Sequence, residues 1–137
     1  MSKLIRFGVS LEQDLLEKFD RHTKEKNYTC RSEAFRDLIR QELVRKQWAS
    51  GGEIAGAITL IYDHHKRELV NKLMDIQHAF GDMIISSQHV HLDHNNCLEI
   101  IAVKGSPKEA QKLSDSLKSV KGVKHGTLSM STTGKDI

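Results

Sequence analysis

The stretch Gln88-His89-Val90-His91-Leu92-Asp93-His94-Asn95-Asn96-Cys97-Leu98-Glu99 decides how the second half of the chain folds. His89 and His91 are two apart, so on a strand both project from one face. Asp93 to Asn96 is turn chemistry, and the chain returns from Cys97 as an antiparallel partner. If Val90 and Leu92 share a helix-packed core with Leu98, Ile100 and Ala102, His91 falls opposite Cys97 and His89 opposite Glu99. Three metal-ligand donors and a carboxylate then gather on the other face, which this register makes the face without helices. A histidine pair two apart is common by chance. A cysteine brought alongside by a hairpin, in a chain with only two, turns the pair into a ligand set. Imidazole and thiolate together suit zinc, copper or nickel rather than magnesium or calcium. A fourth donor is wanted. His78, near the end of the preceding helix, is the leading candidate, although nothing in the spacing requires it.

Around this hairpin the pattern predicts a strand over 54–62, a helix over 65–79, strands over 83–92 and 97–104, a helix over 107–119 and a strand over 123–130. Ser106 followed by Pro107 opens the second helix as N-cap and N1. The β-α-β-β-α-β order is that of the ferredoxin-like split βαβ. Its helices lie on one side, so the other sheet face must be solvated or buried against another subunit.

The first fifty residues read differently. Ile5, Phe7 and Val9 alternate with Arg6, Gly8 and Ser10, the period-two pattern of a half-buried strand. Ser10-Leu11-Glu12-Gln13 reads as a capping box, and Leu11, Leu15, Leu16 and Phe19 form a helical stripe to about Lys26. After Asn27-Tyr28-Thr29-Cys30 a second helix is expected from about Arg31 to Trp48. A single strand before two helices leaves its backbone groups unpaired. The economical solution is a dimer whose two strands pair above a four-helix core. Such a ribbon fits the DNA major groove and turns Arg6, Gly8 and Ser10 outward, where Arg grips guanine and Ser bonds several base edges. The start of the second helix, near Arg31 and Ser32, offers amides to a phosphate.

Charge divides the chain in the same place. The net charge of +3 is too small to argue for nucleic acid alone. Residues 1–50 hold eleven Lys/Arg against eight Asp/Glu, however, while seven of the eight histidines lie beyond them. Ala49-Ser50-Gly51-Gly52 reads as the linker. The division is therefore a DNA-binding domain over 1–48, a linker over 49–52 and a metal-binding domain over 53–137. No apolar run approaches the roughly 18–20 residues of a membrane span, and the start lacks the core of a signal peptide. Two cysteines make a poor disulfide framework, which leaves the cytoplasm as the expected location.

The first half resembles the ribbon-helix-helix repressors, with Arg31-Ser32-Glu33-Ala34-Phe35-Arg36-Asp37 matching their second-helix opening. Nearly the whole chain resembles the NikR-type nickel-responsive regulators. The match runs through Arg6-x-Gly8-x-Ser10, Asp63-His64-His65-Lys66-Arg67, Gln77-His78, His89-x-His91, Cys97-Leu98-Glu99-Ile100 and Gly122-Val123-Lys124-His125-Gly126. The resemblance implies an α+β chain, ribbon-helix-helix followed by a ferredoxin-like, ACT-like domain. It implies one nickel per subunit, held in a square plane by His89, His91 and Cys97 and by His78 of a neighbouring subunit. Tyr62 and Glu99 would stand behind the ligands and orient them. It further implies a homotetramer, a dimer of dimers, that binds two half-sites of double-stranded operator DNA when nickel-loaded and represses nickel-uptake genes. Lys66 and Arg67 would reach the DNA backbone, and Glu33 and Asp37 would form a secondary cation site. Two positions depart from some relatives: Gly8 replaces a polar side chain, and Ala79-Phe80 stands where others carry a histidine run.

Other functions fit less of the sequence. A repressor of this fold answering to copper, zinc or a small organic effector shares the first half; an organic effector leaves His89, His91 and Cys97 unexplained. A metalloenzyme needs an open coordination position, and the chain has no separate acid–base constellation, so it is not expected to be an enzyme. An antitoxin accounts for the first half only.

Overall fold

The structure, a computed structural model, describes residues 2–137. Its elements are α1 (Gln13–Glu25), α2 (Arg31–Ser50), β1 (Ile54–Tyr62), α3 (Arg67–Ala79), a 3-10 turn (Gly81–Met83), β2 (Ile84–Asp93), β3 (Asn96–Gly105), α4 (Pro107–Lys118) and β4 (His125–Met130). They fall into two compact units that divide between Gln41 and Glu42.

In the N-terminal unit α1 lies against α2 through Phe19 and Phe35, whose ring centroids are 4.6 Å apart, with Ala34 fully buried beneath them. Asn27, at φ 61°, ends α1 in the left-handed conformation that asparagine tolerates. Arg31 then reaches back to Asp20 through two parallel bonds of 2.8 and 2.9 Å. That paired guanidinium lowers the Asp20 pKa.

Two expectations for this unit change. Residues 2–11 carry no regular secondary structure, and Ile5 and Phe7 are 77% and 73% exposed. A ribbon strand exists only by pairing, and a single chain supplies no second strand. The helix also starts later than the capping box predicts. Glu12, not Ser10, is the N-cap and makes no side-chain cap bond. Gln13, the residue that would turn back to close such a box, instead donates its side-chain amide to Glu17 (3.1 Å).

The second unit is a four-stranded antiparallel sheet in the order β2-β3-β1-β4. That order, with α3 and α4 as the connections, is the split βαβ arrangement. Ser106 caps α4 by accepting from the Glu109 amide at 3.2 Å, with Pro107 in the first turn. The core joins Ile54, Ile58, Leu60 and Tyr62 of β1 and Cys97, Ile101 and Val103 of β3 to Leu69 and Leu73 of α3 and Ala110, Leu113 and Leu117 of α4. Each of the large aliphatic side chains contributes about 1.5–3 kcal/mol by leaving water. α2 continues through Ser50, so Ala49 and Ser50 are helical, and the chain turns at Gly51 (φ 84°).

The hairpin register comes out as expected, with His91 opposite Cys97 and His89 opposite Glu99. The assignment of faces is reversed. Cys97, Glu99, Ile101 and Val103 are buried on the helix-covered side, while Leu98, Ile100 and Ala102 are half-buried on the open side. β3 is apolar at nearly every position, so its alternation does not distinguish its two faces. The larger Ile58–Leu60 and Ile101–Val103 pairs take the interior beneath α3 and α4. The face that carries Cys97 and Glu99, and with them the expected ligands, is therefore the one with helices.

Candidate metal centre

Cys97 is the first residue of β3 after its opening Asn96, and it pairs with Tyr62 on one side and His91 on the other. The loop leaving β1 is folded back over this point. Asp63 accepts from the His65 amide (2.9 Å), and its carbonyl accepts from the Lys66 amide (3.2 Å). This turn lays the His64 ring flat on His91, with centroids 4.2 Å apart and planes 10° apart. Ligand atoms of His64, His91 and Cys97 consequently lie within 4.8 Å of one another. His65 packs beside His64 at 4.2 Å, and His94 beside His65 at 4.8 Å.

The sequence-predicted ligands divide around this cluster. His91 and Cys97 are together. His89, on the same face, has its Nε2 3.5 Å from Glu99 and its Nδ1 3.5 Å from the Tyr62 hydroxyl. His78, in the last turn of α3, is exposed and lines a cavity of about 230 Å³ with Tyr62, Gln77, His89 and Glu99. His64 was not selected as a ligand from the sequence. Its position depends on the turn that follows β1, closed by Asp63 onto the His65 amide, which strand periodicity does not record.

Glu99 organises the floor of the site. Its carboxylate is 2% exposed and accepts from the Tyr62 hydroxyl (2.7 Å) and the Gln77 amide (3.1 Å). Burial and the adjoining Glu99 carboxylate push the Tyr62 phenol far above its ordinary range, so it stays a donor. Burial also raises the Cys97 thiol, and burial with the neighbouring His65 and His91 lowers the His64 imidazole, favouring its neutral, ligating form. His64 Nδ1 is buried without a hydrogen-bond partner. A His64 imidazole favoured in its neutral form, a thiol that a metal can deprotonate and an unpartnered ring nitrogen fit a late first-row divalent ion.

The expected DNA-reading residues Arg6, Gly8 and Ser10 lie in the exposed extended segment, and Ser32 is exposed in the first turn of α2. Beside them in the same unit is an apolar groove of about 760 Å³ lined in part by Ile5, Phe7, Leu16, Phe35 and Ile39. Lys66 and Arg67 are exposed where α3 begins. Glu33 and Asp37 are engaged within their unit. Glu33 accepts from the Thr29 amide (3.3 Å), and Asp37 accepts from the Tyr28 hydroxyl and the Gln41 amide.

Comparison with known proteins adds the family. Residues 5–46 match the model of "Ribbon-helix-helix protein, copG family", and residues 55–131 match that of "NikR C terminal nickel binding domain". A relative from Syntrophus aciditrophicus (strain SB) is 62% identical over 135 residues, covering 98% of each chain. One from Chlorobaculum tepidum is 64% identical over 132 residues, covering 96% of this chain and 98% of its own. One from Desulfovibrio desulfuricans is 53% identical over 137 residues, covering 100% and 99%. All three carry the name "Putative nickel-responsive regulator". Among solved structures, an uncharacterized protein from Thermotoga maritima superposes with a TM-score of 0.51 at 14% identity, over 56% of this chain and 94% of that one, a likeness of fold alone. With a copG-type ribbon-helix-helix region followed by a nickel-binding C-terminal domain, both matched in chain order, the chain belongs to the NikR family.

Proposed function

We propose that the chain is a nickel-dependent transcriptional repressor, not an enzyme, that binds operator DNA as a dimer of dimers in the cytoplasm. Residues 1–48 read the DNA, 49–52 join the halves and 53–137 hold the metal and assemble the tetramer. The observation that carries the reading is the pairing of His91 with Cys97 and of His89 with Glu99 across one hairpin.

His89, His91 and Cys97 hold the ion, with His78 from a neighbouring subunit as fourth donor. Bound nickel supplies the link between subunits. Glu99, whose carboxylate lies 3.5 Å from the His89 ring Nε2, steers that ring by its charge, while Tyr62 and Gln77 hold Glu99 in place from two sides. Gln77 adjoins His78, so the carboxylate that orients one ligand also restrains the helix end that carries another. On the DNA side, Arg6 and Ser10 read base edges from a two-stranded ribbon, and Ile5, Phe7 and Val9 enter the groove lined by Leu16, Phe35 and Ile39. Ser32 meets phosphate at the start of α2, as do Lys66 and Arg67 at the start of α3. Glu33 and Asp37 serve as a secondary cation site only if the ion displaces their present partners.

The test is nickel titration of the apo-protein by absorbance, paired with DNA binding to a duplex selected by the nickel-loaded protein. A thiolate charge-transfer band that saturates at one nickel per chain is expected, and Cys97→Ala abolishes it. Nickel should raise duplex affinity, and by linkage the duplex should raise nickel affinity by the same factor. Equal duplex affinity with and without nickel, across a range of salt, sinks the sensor reading.

A further inference from the structure

His64, His65 and His94 of the cluster have no part in the nickel site read above. His64 stacks on His91 and brings its ring within ligand range of Cys97, all within one chain. We propose that His64, His91 and Cys97 form a second, intrachain coordination set that takes zinc-class ions and shuts out nickel while it is occupied. The proposal rests on the nickel reading for its consequence but not for its chemistry.

Three observations lead to it. The three donors lie close, with ligand atoms within 4.8 Å of one another, so that turning one of the two stacked imidazoles brings all three onto one ion, and no donor from another copy is required. His64 Nδ1 is buried and unpartnered, a state that costs free energy in simple ring packing and is relieved by coordination. The donors are two imidazoles and a thiolate, with His65 packed 4.2 Å from His64. Three such protein ligands with one further position for water or a fourth side chain is a common zinc arrangement, since zinc has no d-electron preference of its own.

The two sets share His91 and Cys97, so one chain cannot fill both. Zinc held through His64 leaves His89 on Glu99 and does not call on His78 of any other copy. It therefore occupies the centre without making the link between subunits. Raw affinity separates nickel from its competitors poorly, and selectivity falls to geometry and ligand type. A set that captures zinc in a silent arrangement gives the regulator that selectivity at the level of response.

The full chain is titrated separately with zinc, with cobalt(II) as a spectroscopic stand-in, and with nickel, in wild type, His64→Ala, His64→Gln and His89→Ala. Melting temperatures within the wild-type range establish that each variant is folded; His64→Gln serves if His64→Ala is not. Both His64 variants should weaken zinc by about tenfold or more and lose the tetrahedral cobalt bands, with nickel affinity and the nickel–thiolate band within about twofold of wild type. His89→Ala should do the reverse. Adding zinc to nickel-loaded protein should displace one nickel per zinc. Wild-type zinc affinity with an unchanged cobalt spectrum in a folded His64 variant overturns the proposal, as does one chain holding zinc and nickel together. Loss of zinc through His64 in a protein with no nickel–thiolate band would support this set and overturn the nickel reading instead.

Discussion

Glu99→Ala tests the buried network that steers the site. The carboxylate is 2% exposed and receives the Tyr62 hydroxyl at 2.7 Å and the Gln77 amide at 3.1 Å. Its removal leaves the phenol, on a residue itself 1% exposed, as a buried donor with only poor acceptors, His89 and Cys97, beside it. An unsatisfied buried group costs about 1–3 kcal/mol. Gln77 is half-buried and recovers part of its loss by turning to water, so its share is at the low end. Release from burying a charge offsets some of the total. A net destabilisation of about 2–3 kcal/mol follows, and Glu99→Gln, which keeps an acceptor oxygen, should cost about half of that. With a urea slope of about 1–3 kcal/mol/M, the apo-protein midpoint should fall by about 0.7–3 M in Glu99→Ala. Nickel affinity should fall about 10- to 100-fold as His89 loses its guide. Unfolding is followed by the fluorescence of Trp48, the sole tryptophan. A wild-type midpoint in Glu99→Ala would refute the reasoning, because the acceptors left near the Tyr62 hydroxyl, His89 Nδ1 at 3.5 Å and the Cys97 sulfur, are weaker than the lost carboxylate.

Gly56→Ala should destabilise the apo-protein by about 1–3 kcal/mol: an added Cβ meets the Ser129 backbone oxygen at 2.7 Å and the Trp48 ring at 3.4 Å, and an unchanged urea midpoint would contradict that. Nickel affinity should rise with pH. Burial holds the Cys97 thiol above its ordinary range and the metal takes the thiolate, so affinity gains about tenfold per pH unit until the apo-protein thiol has itself ionised; a flat competition titration between pH 6 and 8 would exclude thiolate ligation. Arg6→Ala should weaken duplex binding by about 1–3 kcal/mol for each lost Arg–guanine pair, checked by anisotropy, and leave the nickel affinity of the DNA-free protein untouched, checked by absorbance. Lys66→Ala/Arg67→Ala should flatten the dependence of duplex affinity on salt, the signature of lost phosphate contacts.

The local grammar of the second half was largely legible. Ser106-Pro107 opens α4 where the capping chemistry requires it, and the Asp93–Asn96 turn sets His91 against Cys97 because a strand's side-chain period is two. What periodicity could not supply was the identity of the inner face. Leu98, Ile100 and Ala102 are as apolar as the Ile101–Val103 alternation beside them, and only the packing of α3 and α4 decides between the two sets. His64 escaped for a related reason. Its position depends on a turn closed by Asp63 onto the His65 amide, a bond between backbone and side chain that leaves no periodic trace. In the first half, the pattern of Ile5, Phe7 and Val9 reads as a strand, yet residues 2–11 have no regular structure in one chain. A pattern records the environment a segment is built for, and this one is built for a partner.

The reversal of the sheet faces changes how the metal can act. Had the ligands stood on the open face, an ion would bear directly on whatever sheet covers Leu98, Ile100 and Ala102. The proposed ligands His89, His91 and Cys97 belong instead to the face on which α3 packs, and Leu69 and Leu73 of that helix sit in the same core as Cys97. Gln77, in the last turn of that helix, is bonded to the carboxylate beside His89. Drawing His89 into a metal site therefore disturbs Glu99, then Gln77, then the helix end that presents His78. The opposite end of the same helix begins at Lys66-Arg67. A single thirteen-residue helix thus has a proposed ligand at one end and proposed phosphate contacts at the other. A rigid element held at one end by metal fixes the other without any change in the DNA-reading unit. Under the proposed function, ordering of α3 is the event that converts nickel occupancy into DNA affinity, and zinc held through His64 would leave that helix end unclaimed.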